Sequence, residues 1–259
     1  MFSENSNQHS RELEVATSPL HRALIRFTLN GRQLVEMLGI ALMCTAVWFL
    51  ALPAIGQLWS SLFEFWLSAM NLDGAVGAKE IALPLSATVT LPQIRLSATA
   101  PSESIWYAVA SLCAATFAST FRLPDRWLPV SYLLRALVII QVSALIYFRL
   151  TPLDFPYTLT SYLDGMLASG LLLIGIVPLL LLLTYYLFDY SILQKLGLTF
   201  LAMTYLVIFV PLQYLVHAAI IHTGSLLFMP LLFFAFGIPP QILILIALYS
   251  WAMTWQQKA

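Results

Sequence analysis

Residues 34–57 read LVEMLGIALMCTAVWFLALPAIGQ, an apolar run broken by a single acidic residue, Glu36. It follows a polar tail and four arginines. At about 22 residues it is longer than the roughly 7–15 apolar residues of a cleavable signal. It matches the roughly 20 residues that an α-helix needs to cross the hydrocarbon core. We read it as an uncleaved first membrane span, and the rest of the chain agrees. Of 259 residues, 60% are hydrophobic and only 9% charged, against about 25% charged in soluble domains. The mean hydropathy is +0.86. The fold class expected is an all-α integral membrane protein.

Further runs of the same kind follow. Spans are expected at 34–57, 104–121, 129–148, 163–187, 196–221 and 225–255. Ser102 or Ser104 caps the second, and Pro178 kinks the fourth. The last is too long for one straight crossing. It is interrupted by Gly237-Ile238-Pro239-Pro240, so it is either one strongly kinked helix or two half-helices, because tandem prolines remove two donors. Ahead of the first span, residues 1–17 are polar and read as a disordered tail. Residues 18–33 place Leu20, Leu24 and Phe27 opposite Arg22 and Arg26. That suits a short amphipathic helix on the membrane surface or an ordinary juxtamembrane segment.

Orientation follows the Lys and Arg bias. With the N-terminus in the cytoplasm, nine basic residues fall inside: Arg11, Arg22, Arg26, Arg32, Arg122, Arg126, Arg135, Lys195 and Lys258. Three fall outside: Lys79, Arg95 and Arg149. Both termini are therefore expected in the cytoplasm, and for a bacterial chain the membrane is the inner one. Trp59, Trp66, Trp106, Trp127, Trp251 and Trp255 lie near span ends, as an aromatic belt requires. The two halves carry no convincing internal repeat, so an inverted-repeat transporter is not supported.

Residues 58–103 then lie on the outer side. The stretch 57–70 repeats Leu58, Leu62, Phe65 and Trp66 at helical spacing and is expected to be an interfacial helix. A turn at 71–74, NLDG, follows. Residues 81–100, IALPLSATVTLPQIRLSATA, alternate with period 2, and the apolar phase flips after Pro92. They are expected to form a short β-hairpin, so that 58–103 makes a small extracytoplasmic cap. Pro84 and Pro92 mark edge-type strand material. Such a hairpin either packs on its own helices or offers a docking edge to another protein. The docking residues would be Leu85, Val89, Leu91, Ile94 and Leu96. The remaining possibility is a plain extended loop.

Candidates for chemistry are few. Arg149, Asp154, Tyr157, Tyr162 and Asp164 gather around the loop between spans three and four. Gln213, Tyr214, His217 and His222 end span five. Asp154, Asp164, Arg149 and His217 could serve as acid, base and oxyanion clamp, or merely decorate a charged interface. Pro211 removes the helix bond to the carbonyl of Val207 and leaves that acceptor free. Glu36 and Arg135 are placed to snorkel toward headgroups, and Gln141 to bond between helices. Gly165, Ser169, Gly170 and Gly175 suggest close helix approach, within the bundle or at a dimer seam. Cys44 and Cys113 read as packing residues, at a different depth from the outer histidines. That mismatch counts against a thiol enzyme. HExxH, GxSxG, P-loop and CxxC patterns are absent. No metal site, cofactor or nucleic-acid partner is expected, and no mid-span carboxylate marks an ion path. The leading expectation is a non-catalytic accessory subunit of an envelope assembly, export or sorting system. Its rivals are a membrane enzyme acting on a lipid-linked substrate at the outer interface, and a small-solute permease gated at Pro239–Pro240.

Overall fold

The computed structural model describes residues 31–82, 88–151, 155–185 and 191–255. The tail 1–17, nearly all of 18–33, Pro84, Leu85, Asp154 and Lys258 lie outside the described residues. Among the described residues seven helices and two strands succeed one another: α1 (Gly31–Ala69), β1 (Ala75–Ala82), β2 (Thr88–Arg95), α2 (Glu103–Ser119), α3 (Leu128–Leu150), α4 (Leu159–Tyr185), α5 (Ile192–Thr223), α6 (Met229–Phe236) and α7 (Ile238–Met253). Short 3₁₀ turns lie between α2 and α3 and before α6. Six helical segments, α6 and α7 counted as one, are long and apolar enough to cross a membrane. Their outward faces carry Val35, Leu50, Leu150, Leu193 and Phe200, all strongly exposed. A surface that apolar suits lipid rather than water, the pattern of a multi-pass membrane protein.

The first helix departs from expectation. The interfacial helix is not separate: α1 runs unbroken for 39 residues, about 58 Å. Nor is its apolar face the one expected. Leu58, Phe65 and Trp66 are exposed, while Trp59, Phe63 and Leu67 are buried. With Trp48, Leu52 and Gly56 they form one stripe at spacings of three and four. The sequence places two apolar stripes on this segment. The stripe at 59, 63 and 67 is the one that β2 and α5 cover, and that cover carries the helix past residue 57.

α1 ends in a Schellman motif. Leu72 N–H donates to the Leu67 carbonyl at 3.0 Å and Asn71 N–H to the Ser68 carbonyl at 3.1 Å. Asn71 holds the left-handed position at φ 50°, which its short polar side chain tolerates. The turn read at NLDG is therefore a helix cap.

Two antiparallel strands follow, with Ala75 opposite Arg95 and Ala82 opposite Thr88. The hairpin thus begins earlier than expected. Its first strand is 75–82 and its second, 88–95, runs straight through Pro92. Ile94 N–H points away from β1 and donates to the Tyr214 hydroxyl at 3.1 Å. Alternation then makes Ile94 opposite Val76, and Pro92 opposite Ala78, non-hydrogen-bonded pairs. Pro92 therefore deprives the ladder of nothing. β2 packs on α1, α4 and α5. A side chain at Gly56 would meet the Thr90 carbonyl at 3.0 Å, so glycine permits that approach.

The main core joins α1, β2, α4, α5 and α7. Gly170 lets α4 meet Val210 of α5, and Gly175 lies against Trp48 of α1. Gly165 meets nothing within 4 Å, so the Gly165–Ser169 pair is open rather than tightly packed. α2 and α3 form a separate hairpin around Val109, Cys113, Val138, Leu145 and Phe148. Gln141 ties this hairpin to the rest, donating to the Leu227 carbonyl at 3.1 Å, the bond between helical segments expected of it.

Candidate functional site

The polar residues gather at one end of the bundle, where α1, α3 and α5 finish and α2, α4 and α6 begin. Ser102 caps α2, accepting from Ile105 N–H at 3.4 Å. Thr158 caps α4 through Ser161 N–H at 3.1 Å. The Thr158 cap fixes the start of α4, where Tyr162 and Asp164, two residues apart, lie on different faces.

Asp164 fastens the sheet to α4. Its Oδ2 accepts from the Lys79 ammonium at 2.5 Å and from the Gln93 amide at 2.7 Å. Lys79 and Gln93 come from opposite strands, so one carboxylate oxygen holds both. His222 adds a second tie, donating from Nδ1 to the Ser97 carbonyl at 2.7 Å. Neither Lys79 nor Gln93 stood out in the sequence. Lys79 was visible only as one of three outer basic residues, and the register that puts it beside Asp164 is tertiary.

His217 belongs to a different group. It is fully buried. Its Nε2 lies 3.1 Å from the Phe236 carbonyl and its Nδ1 lies 2.9 Å from the Tyr162 hydroxyl. A carbonyl oxygen only accepts, so in the neutral ring Nε2 carries the proton and Nδ1 accepts from Tyr162. The Phe236 carbonyl has no helical donor, because Pro239 and Pro240 stand where its i+3 and i+4 partners would be. Gln213 Nε2 donates to the same carbonyl and to that of Gly237. Gln241 Nε2 donates in turn to Gln213 Oε1 at 2.6 Å. The interruption expected at Gly237–Pro240 is thus a junction of two helices where side chains of α5 bond the stranded Phe236 carbonyl and the Gly237 carbonyl beside it. A side chain at Gly237 would overlap the Phe233 carbonyl, so only glycine fits there.

Pro211 acts as the sequence suggested. The Val207 carbonyl it strands accepts from Trp59 Nε1 at 3.0 Å. Phe63 stacks on Tyr214, centroids 4.8 Å apart. Arg149 stands elsewhere, on the α2–α3 hairpin, 3.9 Å from Glu103 and over Trp106. Of the four candidates, Arg149, Asp164 and His217 stand in three separate groups, and Asp154 lies outside the described residues. At the opposite end Glu36 accepts from buried Lys195 at 3.3 Å rather than snorkelling alone. Arg135 donates to Thr120 at 3.0 Å and covers Phe121.

Among the intended docking residues, Leu91, Ile94 and Leu96 are buried in the chain's own core and Val89 is half-buried against it. The exposed strand is β1. Two cavities flank the start of α4. One, about 680 Å³, is lined by Lys79, Glu80, Thr158, Thr160, Ser161 and Asp164. The other, about 430 Å³, is bordered by Phe155, Tyr162, Met166, Met229 and Phe233. Comparison with known protein families, curated proteins and solved structures returns no match.

Proposed function

We propose that this chain is a non-catalytic, multi-pass subunit of an envelope assembly, export or sorting system, holding an extracytoplasmic protein partner through the free edge of β1. Among the described residues β1 pairs on one side only. By the alternation set at Ile94, the N–H and C=O groups of Val76, Ala78 and Glu80 face away from β2. Unpaired strand edges accept another strand. Anchoring through Asp164, His222 and Tyr214 engages Lys79, β2 and the chain just after β2 and leaves the outward backbone groups of β1 clear. The reading keeps the proposed orientation, with residues 58–103 outside the cytoplasm of a bacterial inner membrane and both termini inside.

Two features favour this over catalysis. His217 has both ring nitrogens engaged at a helix junction, and Arg149 stands apart from Asp164. The permease reading draws no support from the Pro239–Pro240 break, whose carbonyls are held by Gln213 and His217. The test is Ala78→Pro, which removes one outward N–H and no ladder bond. The partner should be lost on purification in mild detergent while the melting temperature holds. Retention of the same partner by the variant would refute edge docking.

A further inference from the structure

The two cavities at the start of α4 adjoin. Ser161 and Gly165 line both, and Gly165 has open space where a side chain would be. The first is an open depression whose wall carries Lys79, Glu80 and Asp164 beside apolar surface. The second is bounded by aromatic and methionine side chains. Both volumes lie in the roughly 300–1,000 Å³ range of small-molecule sites. A charge-bearing depression beside an apolar one along a single helix face suits an amphiphile.

The polar groups specify its head. Lys79 spends one of three donors on Asp164 Oδ2, and two remain for an anion. Thr160 and Ser161 supply hydroxyls in the same wall. Glu80 has no ion-pair or hydrogen-bond partner among the described residues, and Asp164 Oδ1 accepts none from them. A ligand satisfying all of these carries a phosphate and, a few atoms away, a primary ammonium. The phosphate meets Lys79 and the hydroxyls, and the ammonium meets the two carboxylates. We infer that the α4 face from Thr158 to Ser169 binds a zwitterionic phospholipid with a primary-amine head, of the phosphatidylethanolamine class, its head in the Lys79–Glu80–Asp164 cavity and a chain in the Tyr162–Met166–Phe233 cavity. The inference does not depend on the docking edge, because Ala78→Pro leaves every lining residue in place.

The experiment titrates delipidated full-length protein with dioleoyl phosphatidylethanolamine, phosphatidylcholine or phosphatidylglycerol, and with soluble phosphoethanolamine, reading bound lipid by native mass spectrometry. Phosphatidylethanolamine should be retained about tenfold better than the other two lipids. A choline head lacks N–H donors, and glycerol lacks the cation. Soluble phosphoethanolamine should compete only weakly, since it lacks the chains. Gly165→Leu should cut retention about tenfold with the melting temperature unchanged, because the new side chain enters open space. Glu80→Gln should erase the preference for the amine head while leaving some binding. Equal retention of all three lipids, undiminished binding by Gly165→Leu, or full competition by phosphoethanolamine would each overturn the assignment.

Discussion

Trp59 and Pro211 show how one residue's deficit becomes another's role. Pro211 has no N–H, so the Val207 carbonyl lacks its helical donor, and the Trp59 indole supplies one from α1. Trp59→Phe should therefore lower stability by about 1–3 kcal/mol, the cost of an unpaired buried acceptor. Adding Pro211→Ala restores a helical N–H to that carbonyl, so the double variant should recover part of the loss. Thermal melts of the two single variants and the double in one detergent give the coupling, and simple additivity would mean that the Trp59 bond contributes nothing. His217 follows the same logic. His217→Ala strips a donor from the Phe236 carbonyl and a partner from Tyr162. It should lower the melting temperature, with a loss of about 1–3 kcal/mol. A catalytic histidine would instead leave folded protein intact and only activity missing.

At the scale of the element, β2 alternates from Pro92 to Arg95 but buries both Leu91 and Pro92, because its neighbours cover it on more than one side. Ile94 is fully buried and Arg95 beside it is exposed. Ile94→Asp should destabilise the protein by several kcal/mol, while Arg95→Asp should change stability little. Equal melting temperatures for the two would deny that β2 has a covered face. The ladder makes a second demand. Gly77 lies opposite Gln93 in a hydrogen-bonded pair, and Ala78 opposite Pro92 in a non-bonded one. Gly77→Pro should lower the melting temperature and Ala78→Pro should not, and the reverse order would show that the strand's inner and outer edges are exchanged.

For the whole molecule, the central question is which way it faces. All the caps and ties that hold the sheet lie at the end where α4 begins and α5 finishes. Cysteines placed at exposed Ser97 and Thr223 belong to that end, and one at Ser191 to the other. An impermeant thiol reagent added to intact cells should label the first two and spare the third. Labelling of Ser191→Cys alone would invert the orientation and move the proposed docking edge and the proposed lipid site to the cytoplasmic side.

Composition and periodicity by themselves determined the class, the six apolar segments, a serine cap at Ser102 or Ser104, a chain reversal at 71–74, the stranded carbonyl at Val207 and the strand character of the second half of 81–100. Each of these is local: hydrophobic length, a missing N–H, a turn-forming run or an alternation of two needs no distant partner to be read. The tertiary structure alone decided that α1 continues to Ala69, which of its two apolar stripes is covered, that residues 75–82 form a strand, and that Asp164 meets Lys79 and Gln93 while His217 meets Phe236. Those choices separate residues by 71 to 85 positions along the chain at Asp164 and by 148 at Trp59. They turn on which of several equally apolar faces finds cover, and a helix that is apolar all round does not announce that by its own sequence.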